Sequence, residues 1–177
     1  MEAIVPLISS SVTGPLGATH LPRLWLKILL HACGRLPEGY RHGSGGSDEA
    51  TCANLGIDGE ALVRYIETEK PDYLTLETWV RTHATKLDAD SIAAHNERIL
   101  NGKMRDELAS ERRARFGITD ETYANSVRLN DLDDWAGAHE SLLASPKPDA
   151  GSPRGRGQRT SEVCGRVAQG ESATLTL

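Results

Sequence analysis

No apolar run in this chain approaches the roughly 18 residues that a membrane-spanning helix needs. The opening stretch, MEAIVPLISSSVTGPLGA, is mildly apolar, but it has no positive n-region, carries Glu2 and is interrupted by Pro6, Gly14 and Pro15. It does not read as a secretory signal. Cysteine is scarce: Cys33, Cys52 and Cys164 lie far apart and no C-x-x-C occurs. An odd, scattered set suits reduced thiols and a cytoplasmic setting better than a disulfide framework. Basic charge is not in excess either, with 20 Lys/Arg against 25 Asp/Glu and a net charge of −5. Coating a phosphate backbone needs a basic face, so no nucleic acid is expected as partner, and no membrane. Period-two alternation with β-branched content is missing, which argues against strands.

What is there is helix. Leu21, Leu24, Trp25, Ile28, Leu29 and Ala32 recur at the spacing of a wide apolar stripe. Thr19 is placed to cap this helix, Pro22 fits its first turn and Gly34 its end. A short helix is expected over 48–54, stopped by Gly56. Asp58 caps another, with Leu62, Tyr65 and Ile66 inward, which ends before Pro71. Thr75 opens a segment with Leu76, Trp79, Val80 and His83 on one face. The next starts near Asp88 or Asp90, turns Ile92, His95 or Asn96, and Ile99 inward, and stops at Asn101-Gly102. Residues 103–116 read as a surface helix, and Thr119 as the cap of a turn over DETYANSV. Leu132, Trp135, Ala136, His139, Leu142 and Leu143 form a last inward stripe, capped by Asn130 or Asp131.

The expected fold is all-α: a single compact domain of six or seven helices over residues 19–145. A flexible N-terminal segment, 1–18, precedes it. Residues 146–177, rich in Gly, Ser, Pro and Arg without a sustained apolar period, are expected to be a disordered tail.

The segments LPRLWLKILLHACGRLPEGYRHGSGG, LGIDGEALVRYIE, ETWVRTHATKLDADSIAAHNERIL and LNDLDDW resemble a family of small bacterial proteins known only as a domain of unknown function. GRLPEGYRHG and AAHN carry the resemblance more than the helix periodicity does. It covers roughly residues 19–144 and implies a single bacterial domain. It implies no activity.

Four constellations bear on function. The first is the loop LPEGYRHGSGGSDE, where Gly39, Gly43, Gly45 and Gly46 precede a helix start and Arg41 and His42 stand among them. Backbone N–H groups of such a loop can cradle an anion. It is not a P-loop, since no Gly-Lys-Ser/Thr follows, and a flexible connection is the plainer reading. The second is a basic ridge, Arg23, Lys27, His31 and Arg35 at i, i+4, i+8 and i+12, leading into that loop and matched by acids at Asp131, Asp133 and Asp134. The third is histidine placement. His83, His95 and His139 fall on apolar stripes, so they are three separate core histidines, a shared polar pocket or a metal site. His95 and Asn96 are the expected brace of the glycine loop, because a buried amide must be bonded. The fourth is reactivity. Cys52, near the loop and a helix start, is the better thiol candidate, and no G-x-S-x-G occurs.

No complete catalytic set emerges, and no cofactor is expected. The favoured reading is a non-catalytic binding or accessory domain recognising a protein partner. The alternative is an enzyme or sensor for a small anionic molecule, held by Arg35, Tyr40, Arg41, His42, His95 and Asn96. A third is a metal site at His83, His95 and His139.

Overall fold

The computed structural model describes residues 2–144, and the tail expected over 146–177 lies outside them. Among the described residues seven helices follow one another and no strand forms. They are α1 (Leu21–Ala32), α2 (Gly46–Leu55), α3 (Gly59–Glu69), α4 (Tyr73–His83), α5 (Ala89–Leu100), α6 (Asp106–Phe116) and α7 (Ser126–Ala144). The all-α expectation holds. None of these helices is long and apolar enough to cross a membrane.

The stripe of α1 makes the core. Leu21, Leu24 and Ile28 are fully buried with Leu62 and Ile66 of α3, Leu76 and Val80 of α4, and Leu55 of α2. Each such side chain contributes about 1.5–3 kcal/mol on leaving water. Trp25 closes one end: its Nε1 donates to the Pro71 carbonyl at 2.9 Å and its ring meets Tyr73 edge-on. Asp58 and Asp88 cap α3 and α5 as expected, accepting from the first-turn N–H groups of Ala61 and Ser91. The cap of α4 is Asp72, whose carboxylate accepts from the Thr75 N–H at 2.8 Å, so that helix starts before Thr75.

Three sequence expectations change. Residues 2–18 are not loose. Leu16 and Ala18 are in the core, Ser10 is 1% exposed, and buried Glu77 accepts from the Leu16 N–H at 3.1 Å. A stretch broken by Pro and Gly cannot satisfy its own backbone, so side chains of the helices do it. His95 and Asn96 do brace a loop, but it is this segment and not the glycine loop. Asn96 Oδ1 accepts from the Thr19 N–H (2.8 Å) and hydroxyl (3.0 Å), and its Nδ2 donates to the Gly17 carbonyl at 2.8 Å. His95 Nε2 donates to the Thr19 carbonyl at 2.9 Å, which leaves its other nitrogen to accept from Asn54. Thr19 therefore does not cap α1.

The last stripe is the third change. α7 begins at Ser126, and it buries Val127, Leu129 and Asp134, while Trp135 is 61%, Leu142 76% and Leu143 74% exposed. Its inward face is set by an ion pair, not by the apolar period.

Candidate functional site

Counting back from the core stripe puts Arg23 and Lys27 one turn apart on the same side of α1, with His20 just before it. In the fold this side faces inward: Arg23 is 4% and Lys27 8% exposed. A buried cation is stable only when paired and hydrogen-bonded, and the structure supplies one carboxylate to each.

Asp48, in the first turn of α2, is the partner of Lys27. The ammonium donates to both carboxylate oxygens at 2.6 and 2.8 Å. His20 Nε2 donates to Asp48 Oδ1 at 2.7 Å, and the Gly43 N–H donates to Oδ2 at 3.0 Å. Burial pushes the Asp48 carboxyl up, but the bond from His20 and the charge of Lys27 outweigh it and hold the group below the usual range. Burial pulls the His20 ring below its ordinary value. In the tautomer with Nε2 protonated toward Asp48, Nδ1 accepts from the Ser10 hydroxyl at 2.9 Å. Held at both nitrogens, His20 keeps a left-handed backbone, φ 65°.

Ser10, His20 and Asp48 thus form a chain of the residue types found in serine hydrolases. It does not work as one. Ser10 is 1% exposed, so its hydroxyl cannot meet a carbonyl from outside. Lys27 also neutralises the carboxylate that would stabilise an imidazolium.

Asp134 of α7 is the partner of Arg23. The guanidinium spans its two oxygens at 2.5 and 3.1 Å, and the Tyr40 hydroxyl donates to it at 2.8 Å. Burial and that bond push the Tyr40 hydroxyl above its ordinary range. The same arginine donates to the Pro6 and Ile8 carbonyls at 2.7 and 2.8 Å, which fastens the N-terminal segment.

The two pairs form the floor of a cleft of about 750 Å³. The glycine loop and the first turn of α2 line one side, and residues 103–115 and α7 line the other. Seven Lys/Arg line it against five Asp/Glu, in a chain where acids outnumber bases. Arg112 and Arg115 pair with Asp133 at 3.0 and 2.6 Å. Arg41, Lys103 and Arg105 have no acidic or hydrogen-bonding side-chain partner among the described residues. Two helix starts border the cleft without side-chain caps: Gly45 precedes α2 and Arg105 precedes α6. Glycine is required inside the loop at Gly43, where φ is 71° and a Cβ would collide with Val63.

Of the six ligand candidates from sequence, the cleft gathers Tyr40 and Arg41. Arg35 instead donates to the Glu2 carbonyl at 3.3 Å, and His95 and Asn96 serve the N-terminal segment. His42 stacks on His31 at 3.6 Å between ring centres. His83 stacks on Trp79 and is exposed, as is His139, so neither joins buried His95 and the three form no ligand cluster. Cys52 is buried and its thiol is pushed up to about 11 by burial and nearby acids, chiefly Asp48. It is not the reactive group its position suggested. Sequence reasoning missed His20, Asp48, Lys103 and Arg105 as site residues. The available signal was the ridge of α1, whose first two cations point to buried acids.

Residues 8–135 match a family described as a domain of unknown function (DUF5069), so the chain belongs to that family. No curated protein and no solved structure matches it.

Proposed function

We propose that this DUF5069 domain binds a small anionic molecule, bearing phosphate or carboxylate groups, in the cleft between the glycine loop and helices α6 and α7. The observation that carries this reading is the set of three cations, Arg41, Lys103 and Arg105, facing one cavity without acidic partners. Bases normally gather acids around them in a chain of this charge. The cleft volume of about 750 Å³ is in the range of small-molecule sites. The uncapped first turns of α2 and α6 add N–H donors that favour an anion. Asp48 does not oppose it, because Lys27 and His20 already engage its charge. Arginine suits such a ligand because its planar fork binds two oxygens at once. The reading keeps the domain in the bacterial cytosol, in line with the free thiols of Cys33 and Cys52.

Calorimetric titration with pyrophosphate and with citrate at low salt tests it. We expect at least one probe to bind with Kd of about 100 µM or tighter. The double variant Arg41→Ala/Arg105→Ala should weaken that binding by roughly tenfold or more, and added salt should weaken it too. No heat with either probe, or equal affinity in the double variant, would count against the cleft.

A second reading, recognition of a protein partner, rests on the outer face of α7. Trp135, Leu142 and Leu143 stand at i, i+7 and i+8 and are all largely exposed. Exposed apolar stripes of this kind mark docking faces. The double variant Trp135→Ala/Leu142→Ser should then lose self-association or a co-purifying protein in light scattering of the purified sample. An unchanged mass in both the parent and the variant would leave only the anion reading.

A further inference from the structure

We propose that His31, His42 and Glu67 form a binding site for a zinc-class divalent metal ion, separate from the anion cleft. The three come from different parts of the chain: the last turn of α1, the glycine loop and the last turn of α3. One ligating atom from each lies within 4.8 Å of the others. Around a tetrahedral ion with bonds of about 2.0–2.1 Å the donors stand about 3.3 Å apart, so the cluster closes by at most about 1.5 Å.

The chemistry of the donors selects the ion. Two imidazoles and one carboxylate, with a position open to water, suit zinc and its neighbours rather than magnesium or calcium. The donors are available as well. Neither nitrogen of His42 has a hydrogen-bond partner among the described residues. His31 Nδ1 and Glu67 Oε1 already face each other at 3.2 Å, with the two side chains 48% and 38% exposed, so an ion from solvent can reach them.

The helices add a field of the right sign. His31 and Glu67 sit at the carbonyl ends of α1 and α3, where the helix dipole favours a cation. Coordination requires each ring to present a lone pair in its own plane. The stacked rings must therefore splay as the ion enters, and His42 sits on a loop rich in glycine. The bound ion would tie that loop to α1 and α3, one residue from Arg41 in the cleft.

Tag-free, full-length protein titrated with cobalt chloride and then zinc chloride tests the site. We expect visible d–d absorption with cobalt, its displacement by zinc, and a zinc Kd of about 10 µM or tighter. His42→Ala and Glu67→Gln, both at partly exposed positions, should each weaken zinc binding tenfold or more while leaving the far-UV circular dichroism unchanged. His83→Ala and His139→Ala should leave binding unchanged. No cobalt absorption, or binding that survives both His42→Ala and Glu67→Gln, or binding lost with His83→Ala or His139→Ala, would overturn the assignment. Zinc binding in the absence of any anion probe keeps this result distinct from the fate of the cleft reading.

Discussion

Asp48→Ala is expected to destabilise the domain by about 3–5 kcal/mol, the cost of stripping one partner from a buried ion pair. Three donors lose their acceptor at once: the Lys27 ammonium, the His20 ring and the Gly43 N–H. Lys27 is the decisive one, since a charge that is 8% exposed has nowhere to go. Burial already pulls its ammonium below its ordinary value, and Asp48 is the main group that opposes this. At about 4 °C per kcal/mol, the melting temperature should fall by about 12 °C or more. Two further variants separate charge from shape. Asp48→Asn keeps an acceptor oxygen but leaves Lys27 unpaired, so it should fall almost as far. Adding Lys27→Met to Asp48→Asn removes the stranded charge and should recover much of the loss, because an apolar replacement carries no desolvation penalty. A melting temperature for Asp48→Asn within about 2 °C of the parent would show that Lys27 is not held as a buried cation.

This hub also explains what the sequence could and could not disclose. The elements that make the core were legible, because α1, α3 and α5 carry their period of burial in local sequence, and α3 and α5 their caps as well. Leu24, Ile28, Leu62, Ile66 and Ile99 point inward as the spacing requires. α7 was misread for the opposite reason. Its apolar residues Trp135, Leu142 and Leu143 offer a clean stripe, but the face toward α1 is chosen by Arg23, which needs Asp134. A long-range ion pair leaves no periodicity to read. The same holds for residues 2–18. They are held in place by Asn96, Glu77 and Arg23, each donating or accepting across more than a dozen positions. The site was half visible. The basic ridge and the glycine loop were plain, and so was their adjacency. What turned them into a cleft was α6, which buries only Ala109 and shows almost no amphipathic signal. Its position comes from Arg112 and Arg115 reaching acids of α7, contacts that pattern alone does not reveal.

Asp134→Ala should cost a similar amount, about 3–5 kcal/mol, by leaving the Arg23 guanidinium buried without its carboxylate. Its consequences should differ in place. Arg23 holds four acceptors together: both oxygens of Asp134 and the carbonyls of Pro6 and Ile8. Asp134 also receives the Tyr40 hydroxyl, so one carboxylate ties α1 and α7 to the loop beside the cleft. The apolar double variant Arg23→Met/Asp134→Leu tests what that arrangement is for. It removes both charges and should return global stability toward the parent, since a well-packed apolar pair often matches a buried ion pair. It cannot donate to the Pro6 and Ile8 carbonyls. Residues 2–10 should therefore exchange their amide hydrogens faster and be cut sooner by protease, even where the melting temperature is restored. Restored stability together with full protection of that segment would mean that its other contacts, the packing of Leu16 and Ala18 and the bonds to Asn96, Glu77 and His20, suffice to anchor it, and that Arg23 acts only as half of an ion pair. Restored stability with an open segment would assign Arg23 a specific role: it fastens the N-terminal strap across the floor on which the cleft is built.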